Sequence, residues 1–97
     1  MTLNGGIIQA VLFNNKMWDV VDAANWCLNH GHKVIKIDDT VFSYRFRQVS
    51  ALTLKRKGYT EYKTVKANYG IEFSMAYKPN LEHDHILNIS PQIPISR

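Results

Sequence analysis

Residues 19–31, with the sequence DVVDAANWCLNHG, carry the strongest helical pattern in this chain of 97 residues. Apolar side chains recur at the spacing of one helical face, at Val20, Ala24, Cys27 and Leu28. Asp19 and Asp22 place negative charge in the first turn, where it complements the helix dipole. Gly31 can adopt the left-handed conformation that commonly ends a helix. The pattern predicts a helix from Asp19 to His30.

Strand patterns lie on both sides of this helix. Residues 7–13 form a near-continuous apolar run, which favours a strand covered on both faces or a strand at a dimer edge. Four later strands are predicted at 33–38, 41–49, 59–67 and 71–77. We predict turns at residues 38–40 and 68–70, the second within a hairpin. Residues 50–58 fit either a short helical turn or a flexible basic loop.

The predicted order is β-α-β-β-β-β, an α+β fold in which one helix packs on a largely antiparallel sheet. We expect residues 1–79 to form a single domain. Residues 80–97 contain Pro91 and Pro94, which exclude a long helix, so we expect an extended C-terminal arm. One helix leaves the other face of the sheet partly uncovered, and we therefore expect a homodimer.

Composition narrows the classes of protein to be considered. The apolar fraction of 45 % is ordinary for a folded domain, and no apolar run approaches the length that crosses a bilayer. We therefore expect a soluble protein without a membrane partner. Cys27 is the single cysteine, so it has no disulfide partner within the chain, which suits a reducing compartment and not secretion.

Positive charge is concentrated in the middle of the chain. Residues 33–66 hold nine of the twelve Lys and Arg and three of the eight acids, a net charge of +6. The rest of the chain has a net charge of −2. This asymmetry favours a polyanionic partner, and DNA or RNA is the candidate.

Two groups of cations are candidate phosphate contacts. Alternation in residues 41–49 places Phe42, Tyr44 and Phe46 on one face, and Arg45 and Arg47 about 7 Å apart on the other. These arginines could contact successive phosphates, form ordinary surface ion pairs, or include one buried structural arginine. The second group is a basic tip followed by Tyr59 and Tyr62, which could stack on bases. The candidate nucleic-acid-binding residues are Arg45, Arg47, Lys55, Arg56, Lys57, Lys63 and Lys66.

No catalytic or metal centre is predicted. His83-Asp84-His85 has ligand-like spacing, but no third or fourth ligand is adjacent to it. Cys27 lies on the apolar helical face, where a buried and inert thiol is the usual outcome. We therefore expect no enzyme activity, no metal and no cofactor.

Several segments of the chain resemble one small module of phages and large DNA viruses. The similar segments are Ala10-Val11-Leu12-Phe13, Trp18, residues 23–31 (AANWCLNHG) and residues 44–48 (YRFRQ). A later match covers residues 62–64 and 70–77. The chain departs from the module at Cys27, where the module has leucine after the tryptophan. In giant viruses such as the marseilleviruses the module occurs as short stand-alone proteins, so the resemblance implies a viral origin but no settled activity.

Charge pattern and resemblance together lead to two hypotheses. The first is a non-enzymatic viral binding protein that contacts nucleic acid through a basic face without strong sequence preference. The alternative is a virion or infected-cell assembly module that binds a viral or host protein. Its interface residues would be Trp18, Trp26, Ile93 and Ile95. Either function implies a location in the host cytoplasm, in the nucleus or in the virion.

Overall fold

The computed structural model describes residues 2–3 and 5–79, in which two helices accompany one antiparallel sheet. The strands are β1 (Thr2–Leu3), β2 (Gly6–Asn14), β3 (Lys36–Asp39), β4 (Ser43–Arg47), β5 (Glu61–Lys66) and β6 (Ile71–Tyr77). The helices are α1 (Val20–Asn29) and α2 (Ala51–Arg56). The predicted α+β class is confirmed, while β1 and α2 are additional to the predicted order.

The apolar strand β2 lies in the middle of the sheet. The strand order is β3-β4-β2-β6-β5, and every neighbouring pair is antiparallel. β1 pairs with the first residues of β2. The predicted hairpin joins β5 to β6, and its turn uses positive φ angles at Tyr69 and Gly70. A central position explains why β2 is apolar along nearly its whole length, because strands flank it on both sides and all but its last residue are buried or half-buried.

Helix α1 begins and ends close to the predicted residues, but it buries a different face. Asp19 is the N-cap, and its side chain accepts a 2.8 Å hydrogen bond from the Asp22 N–H. The buried residues of α1 are Ala23 and Cys27, whereas Leu28 is exposed. The predicted apolar face, which included Leu28, is therefore rotated about the helix axis relative to the face that is buried. The prediction treated Leu28 as equal to the small residues that contact the sheet.

The core forms where α1 covers the sheet, and Phe13 of β2 lies at its centre. The Phe13 ring makes edge-to-face contacts with Trp18, Trp26 and Phe46, at centroid distances of 5.1, 5.6 and 5.4 Å. The buried cluster consists of Val11, Phe13, Ala23, Cys27, Phe46 and Ile71. Three strands and one helix thus meet around a single aromatic ring.

The turn predicted at residues 38–40 lies two residues later in the chain. Asp38 and Asp39 belong to β3 and pair with β4. The turn follows them, because the Thr40 N–H donates to the Ser43 carbonyl (2.9 Å) and the Thr40 hydroxyl accepts from the Ser43 N–H (3.0 Å). Phe42 therefore lies in the turn, and 76 % of its surface is exposed. Its predicted place beside Tyr44 and Phe46 was wrong.

Residues 50–58 form the helical alternative of the two that the sequence left open. Ser50 caps α2 by accepting a hydrogen bond from the Thr53 N–H (3.1 Å), and Leu54 is fully buried. The described helices include none with the length and apolarity needed to traverse a bilayer. The predicted arm at 80–97 lies outside the described residues.

Phe13→Ala should destabilise the protein strongly, because it removes the ring that joins α1 to the sheet. Burial loss and the resulting cavity should lower the free energy of unfolding by about 3–5 kcal/mol. Phe42→Ala is the matched control, since it makes the same chemical change at an exposed side chain. Urea denaturation measures the free energy of unfolding of both variants. Equal losses of this free energy in the two variants would contradict the assigned core.

Candidate nucleic-acid interface

The cross-strand register divides the sheet into two faces with different chemistry. Val11, Phe46 and Phe73 belong to or pack against the cluster beneath α1, so their neighbours in sequence face the opposite side. We call that opposite side the open face. Arg45 and Arg47 both lie on it, because Arg45 pairs with Leu12 and Arg47 with Ala10. Their predicted position on one face is confirmed.

Two rows of side chains cross the open face. The first row runs Asp38, Arg45, Leu12, Glu72 and Lys66 in direct cross-strand register. The second row runs Lys36, Arg47, Ala10, Ser74 and Thr64. The two rows contain four cations and two acids, so they carry a net positive charge. Both acids lie in the first row, whereas the charged residues of the second row are all cations.

Arg45 is tied to the framework of the sheet. Its guanidinium donates to the side-chain oxygen of Gln9, which is buried at a bulge in β2. The Gln9 carbonyl in turn accepts hydrogen bonds from the N–H groups of Gln48 (2.8 Å) and Val49 (3.3 Å). A buried amide needs such partners. Arg45 therefore has a structural role, one of the three alternatives that the sequence left open.

Arg47 instead lines a groove at the β3 side of the sheet. The groove has a volume of about 250 Å³, and it is bordered by Lys33, Ile35, Lys36, Arg47, Gln48, Val49 and Ser50. Gln48 holds the rim in place, because its side chain accepts from the Lys33 N–H (2.7 Å) and donates to the Lys33 carbonyl (2.9 Å). Lys33 and Lys36 were absent from the predicted binding residues. Distance along the sequence hid their proximity to Arg47.

The basic tip lies at the far end of α2, the helix that begins at this groove. Ser50 borders the groove and also caps α2. Lys55 and Arg56 occupy the last turn of α2, and Lys57 follows as the C-cap. All three are exposed, and a helix C-terminus favours positive charge. A helix thus presents the predicted basic tip, and a short segment of chain connects it to Arg47.

Lys63 and Lys66 are separated from each other and from the groove. Lys63 pairs with Met75 on the α1 side of the sheet, and its ammonium lies 5.6 Å from the centre of the Tyr77 ring. A single stripe that contains Lys63 together with Arg45 and Arg47 is therefore not formed. Lys66 does face the open side, but three strand spacings, about 14 Å, separate it from Arg45.

Exposed aromatic side chains accompany the cations on the open face. Phe42 borders a second groove of about 360 Å³, whose wall also includes Leu12 and Glu72. Tyr62, which pairs with Ala76, is 48 % exposed on the same face. Tyr59 is half-buried, with the Lys78 ammonium 5.3 Å from its ring centre. Phe42 was missed because strand alternation placed it on the same face as Tyr44 and Phe46, opposite Arg45 and Arg47.

The two tryptophans predicted as interface residues contribute mainly to the core. Trp18 packs against the core cluster and donates its indole N–H to the Tyr69 carbonyl at 2.7 Å. Trp26 packs against the same cluster and stacks on His30, with ring centres 3.8 Å apart. Both side chains are half-buried. The other predicted interface residues, Ile93 and Ile95, lie outside the described part of the chain.

The metal and thiol candidates have the following places in the structure. No group of three His, Cys, Asp or Glu side chains within the described residues 2–3 and 5–79 could hold a metal ion. His83, Asp84 and His85 lie outside these ranges. Cys27 is buried against the sheet, and burial raises the pKa of its thiol to about 11. The thiol therefore stays protonated at neutral pH.

The chain matches no family model, and comparisons with curated proteins and with solved structures also found no match. The resemblance to the viral module stays a prediction.

Cys27 should resist modification while the protein is folded. A protonated, buried thiol is a poor nucleophile, so a thiol reagent should label the native chain slowly and the chain unfolded in urea at once. Asn25→Cys is the control, because it adds an exposed thiol on the same helix. Rapid labelling of the native wild-type chain, as fast as that of Asn25→Cys, would contradict the burial.

The pH dependence of stability should include a contribution from His32. Burial and the neighbouring His30 lower the pKa of His32 below its ordinary value of 6.5. As the pH falls through 6.5, the unfolded chain binds a proton more readily than the folded chain, so the free energy of unfolding decreases. His32→Gln should reduce this decrease in urea denaturation between about pH 7.5 and pH 5. An identical decrease in wild type and variant would exclude His32 as its source.

Proposed function

We propose that this protein is a non-enzymatic viral binding protein that contacts nucleic acid without strong sequence preference. The observation that supports this most is the groove that brings Lys33, Lys36 and Arg47 together, with Ser50, the N-cap of α2, on its border. Cations from β3, from the segment before it and from β4 thus meet at one groove, and α2 adds a second basic group at its C-terminal end. Phosphate groups are the ligands that such a cluster attracts.

The arrangement suits a nucleic-acid backbone better than a base-reading site. Lys and Arg at the groove would bind phosphates, which carry no sequence information. The exposed rings of Phe42 and Tyr62 on the open face could stack on any base, since every base has a π-face. Cation contacts combined with aromatic stacking favour single-stranded nucleic acid and weak sequence preference.

The proposed phosphate contacts differ in part from the residues that the sequence predicts. Arg47 and the basic end of α2 stay as phosphate contacts, and Lys33 and Lys36 join them. Arg45 stabilises the sheet through its hydrogen bond to the Gln9 side chain. Lys63 lies on the α1 side and serves as a control. The viral part of the proposal rests on the resemblance in residues 10–13, Trp18, residues 23–31 and residues 44–48.

A protein–protein assembly module is the second candidate function. Large apolar side chains are exposed around β3, where Ile35 is 85 % and Val41 81 % exposed. Exposed apolar groups at one edge favour a protein partner. Nucleic-acid binding that is absent at low salt would favour this candidate over the first.

Affinity for nucleic acid should fall steeply with salt concentration. If three or four phosphates are contacted, single-strand affinity should fall roughly 20- to 50-fold between about 50 and 200 mM salt. Fluorescence anisotropy with labelled single-stranded DNA and RNA of several sequences measures the affinity and its sequence preference. An affinity that barely changes with salt would contradict phosphate contacts, and a strong preference for one sequence would contradict the proposed mode of binding.

Arg47→Gln should weaken binding and lower the slope of log affinity against log salt by about one phosphate contact. Lys63→Gln removes the same charge from the other side of the sheet and should leave the slope near that of wild type. Circular dichroism checks that both variants fold. Equal losses in the two variants would show that net charge, and not the groove, governs binding.

A further inference from the structure

β3 forms one edge of the sheet and is exposed along its whole length. Among the described strands it pairs with β4 alone, and all four of its residues, Lys36 to Asp39, are exposed. Ile35 directly before it and Val41 and Phe42 shortly after it are exposed as well. An exposed edge strand flanked by apolar groups is a site at which another strand can add.

The hydrogen-bond pattern shows which backbone groups of β3 point outward. The Thr40 N–H donates to the Ser43 carbonyl of the neighbouring strand. In an antiparallel pair the inward-pointing groups belong to every second residue, so those of Lys36 and Asp38 also face β4. The N–H and C=O groups of Ile37 and Asp39 consequently point away from the sheet, where an added strand would bind them.

The side-chain charges of β3 are complementary to those of a second, antiparallel copy of β3. Lys36 and Asp38 flank Ile37 symmetrically and lie on the open face. In an antiparallel self-pair with Ile37 opposite Ile37 of a second copy, each Lys36 faces the second copy's Asp38. These are non-hydrogen-bonded positions, where facing side chains lie closest.

Neighbouring registers would be repulsive. A shift by two residues in one direction places Lys36 against Lys36 of the second copy, and the opposite shift places Asp38 against its equivalent. Shifts by one residue are excluded, because they would pair groups from opposite faces of the sheet. The charges therefore favour a single register.

We propose that β3 is the interface through which two copies of this chain form an antiparallel, two-fold symmetric dimer. The two-fold axis passes between the two Ile37 residues, perpendicular to the sheet. One continuous sheet then contains the five longer strands of each copy, and both open faces lie on the same side. Lys36, which lies opposite Arg47 within its own chain, gains an acidic neighbour in the dimer.

The other edge strand, β5, also has an acid and a base around a central residue, because Glu61 and Lys63 flank Tyr62, but the Lys63 ammonium already lies 5.6 Å from the centre of the Tyr77 ring in its own chain. β5 has the sequence Glu-Tyr-Lys-Thr-Val-Lys, in which Lys63 and Lys66 place charge on both faces of the edge. In a self-pair centred on Tyr62, Lys66 would have Gly58 and no acid opposite it, unlike Lys36 in the β3 pair, and an unpaired lysine on an edge strand opposes the addition of another strand. Self-pairing is therefore expected at β3.

Charge-reversal variants test the interface without nucleic acid, so the outcome is independent of the proposed function. Lys36→Glu places acids against acids in the homodimer, and Asp38→Lys places lysines against lysines. Each variant should raise the dimer dissociation constant roughly ten-fold or more, because two cross-strand pairs change from attractive to repulsive. Sedimentation velocity of the full chain over a range of concentrations measures the constant.

The decisive experiment mixes the two variants. In a mixed dimer, the glutamate introduced at position 36 of one chain faces the lysine introduced at position 38 of the other. The unchanged Asp38 of the first chain then faces the unchanged Lys36 of the second. An equimolar mixture should therefore dimerise about as tightly as wild type although neither variant does so alone. Misfolding would not produce this rescue. Lys63→Glu is the matched control on the other edge strand and should leave dimerisation unchanged.

Three results would overturn the proposal. Wild-type protein could stay monomeric at all concentrations. The single variants could dimerise as tightly as wild type, which would indicate an interface elsewhere, such as the tryptophans. The mixture could also fail to recover the wild-type constant.

Discussion

Burial of the Phe13 ring is the constraint on which the rest of this structure depends. The ring lies in the central strand and contacts two tryptophans from the α1 region and Phe46 from β4. Once Phe13 and Phe46 face α1, the pleat of each strand assigns every neighbouring side chain to a face. Arg45 and Arg47 reach the open face for this reason, because each flanks a phenylalanine that the core requires.

The segment Tyr44-Arg45-Phe46-Arg47-Gln48 shows how one short sequence can combine folding and surface chemistry. Phe46 is fully buried, Arg45 binds the amide of Gln9, and Gln48 binds both backbone groups of Lys33. Three of these five residues thus hold β2, β4 and the chain before β3 together. Arg47 is left to line the groove, and its surroundings are defined by residues whose own role is structural.

Local patterns predicted much of the fold. The helix start at Asp19, the left-handed Gly31 after the helix and the hairpin turn before Gly70 all follow from the conformational preferences of single residues. The β3–β4 turn was misplaced, since Asp38 and Asp39 favour turns locally but pair with β4 in the sheet. Pairing with a neighbouring strand can outweigh such a local preference.

The sequence by itself determined the α+β class, the positions of α1 and the strands within a few residues, and the shared face of Arg45 and Arg47. Each of these depends on a period of two or about 3.6 residues, which is visible along the chain. Only the tertiary structure decided the strand order β3-β4-β2-β6-β5, and with it the partners of every cation. That order places Lys63 on the far edge, its register with Met75 places it on the α1 side, and Lys33 and Lys36 lie beside Arg47. Charge counted along a chain cannot reveal such neighbours, because strands that are adjacent in a sheet can be distant in sequence.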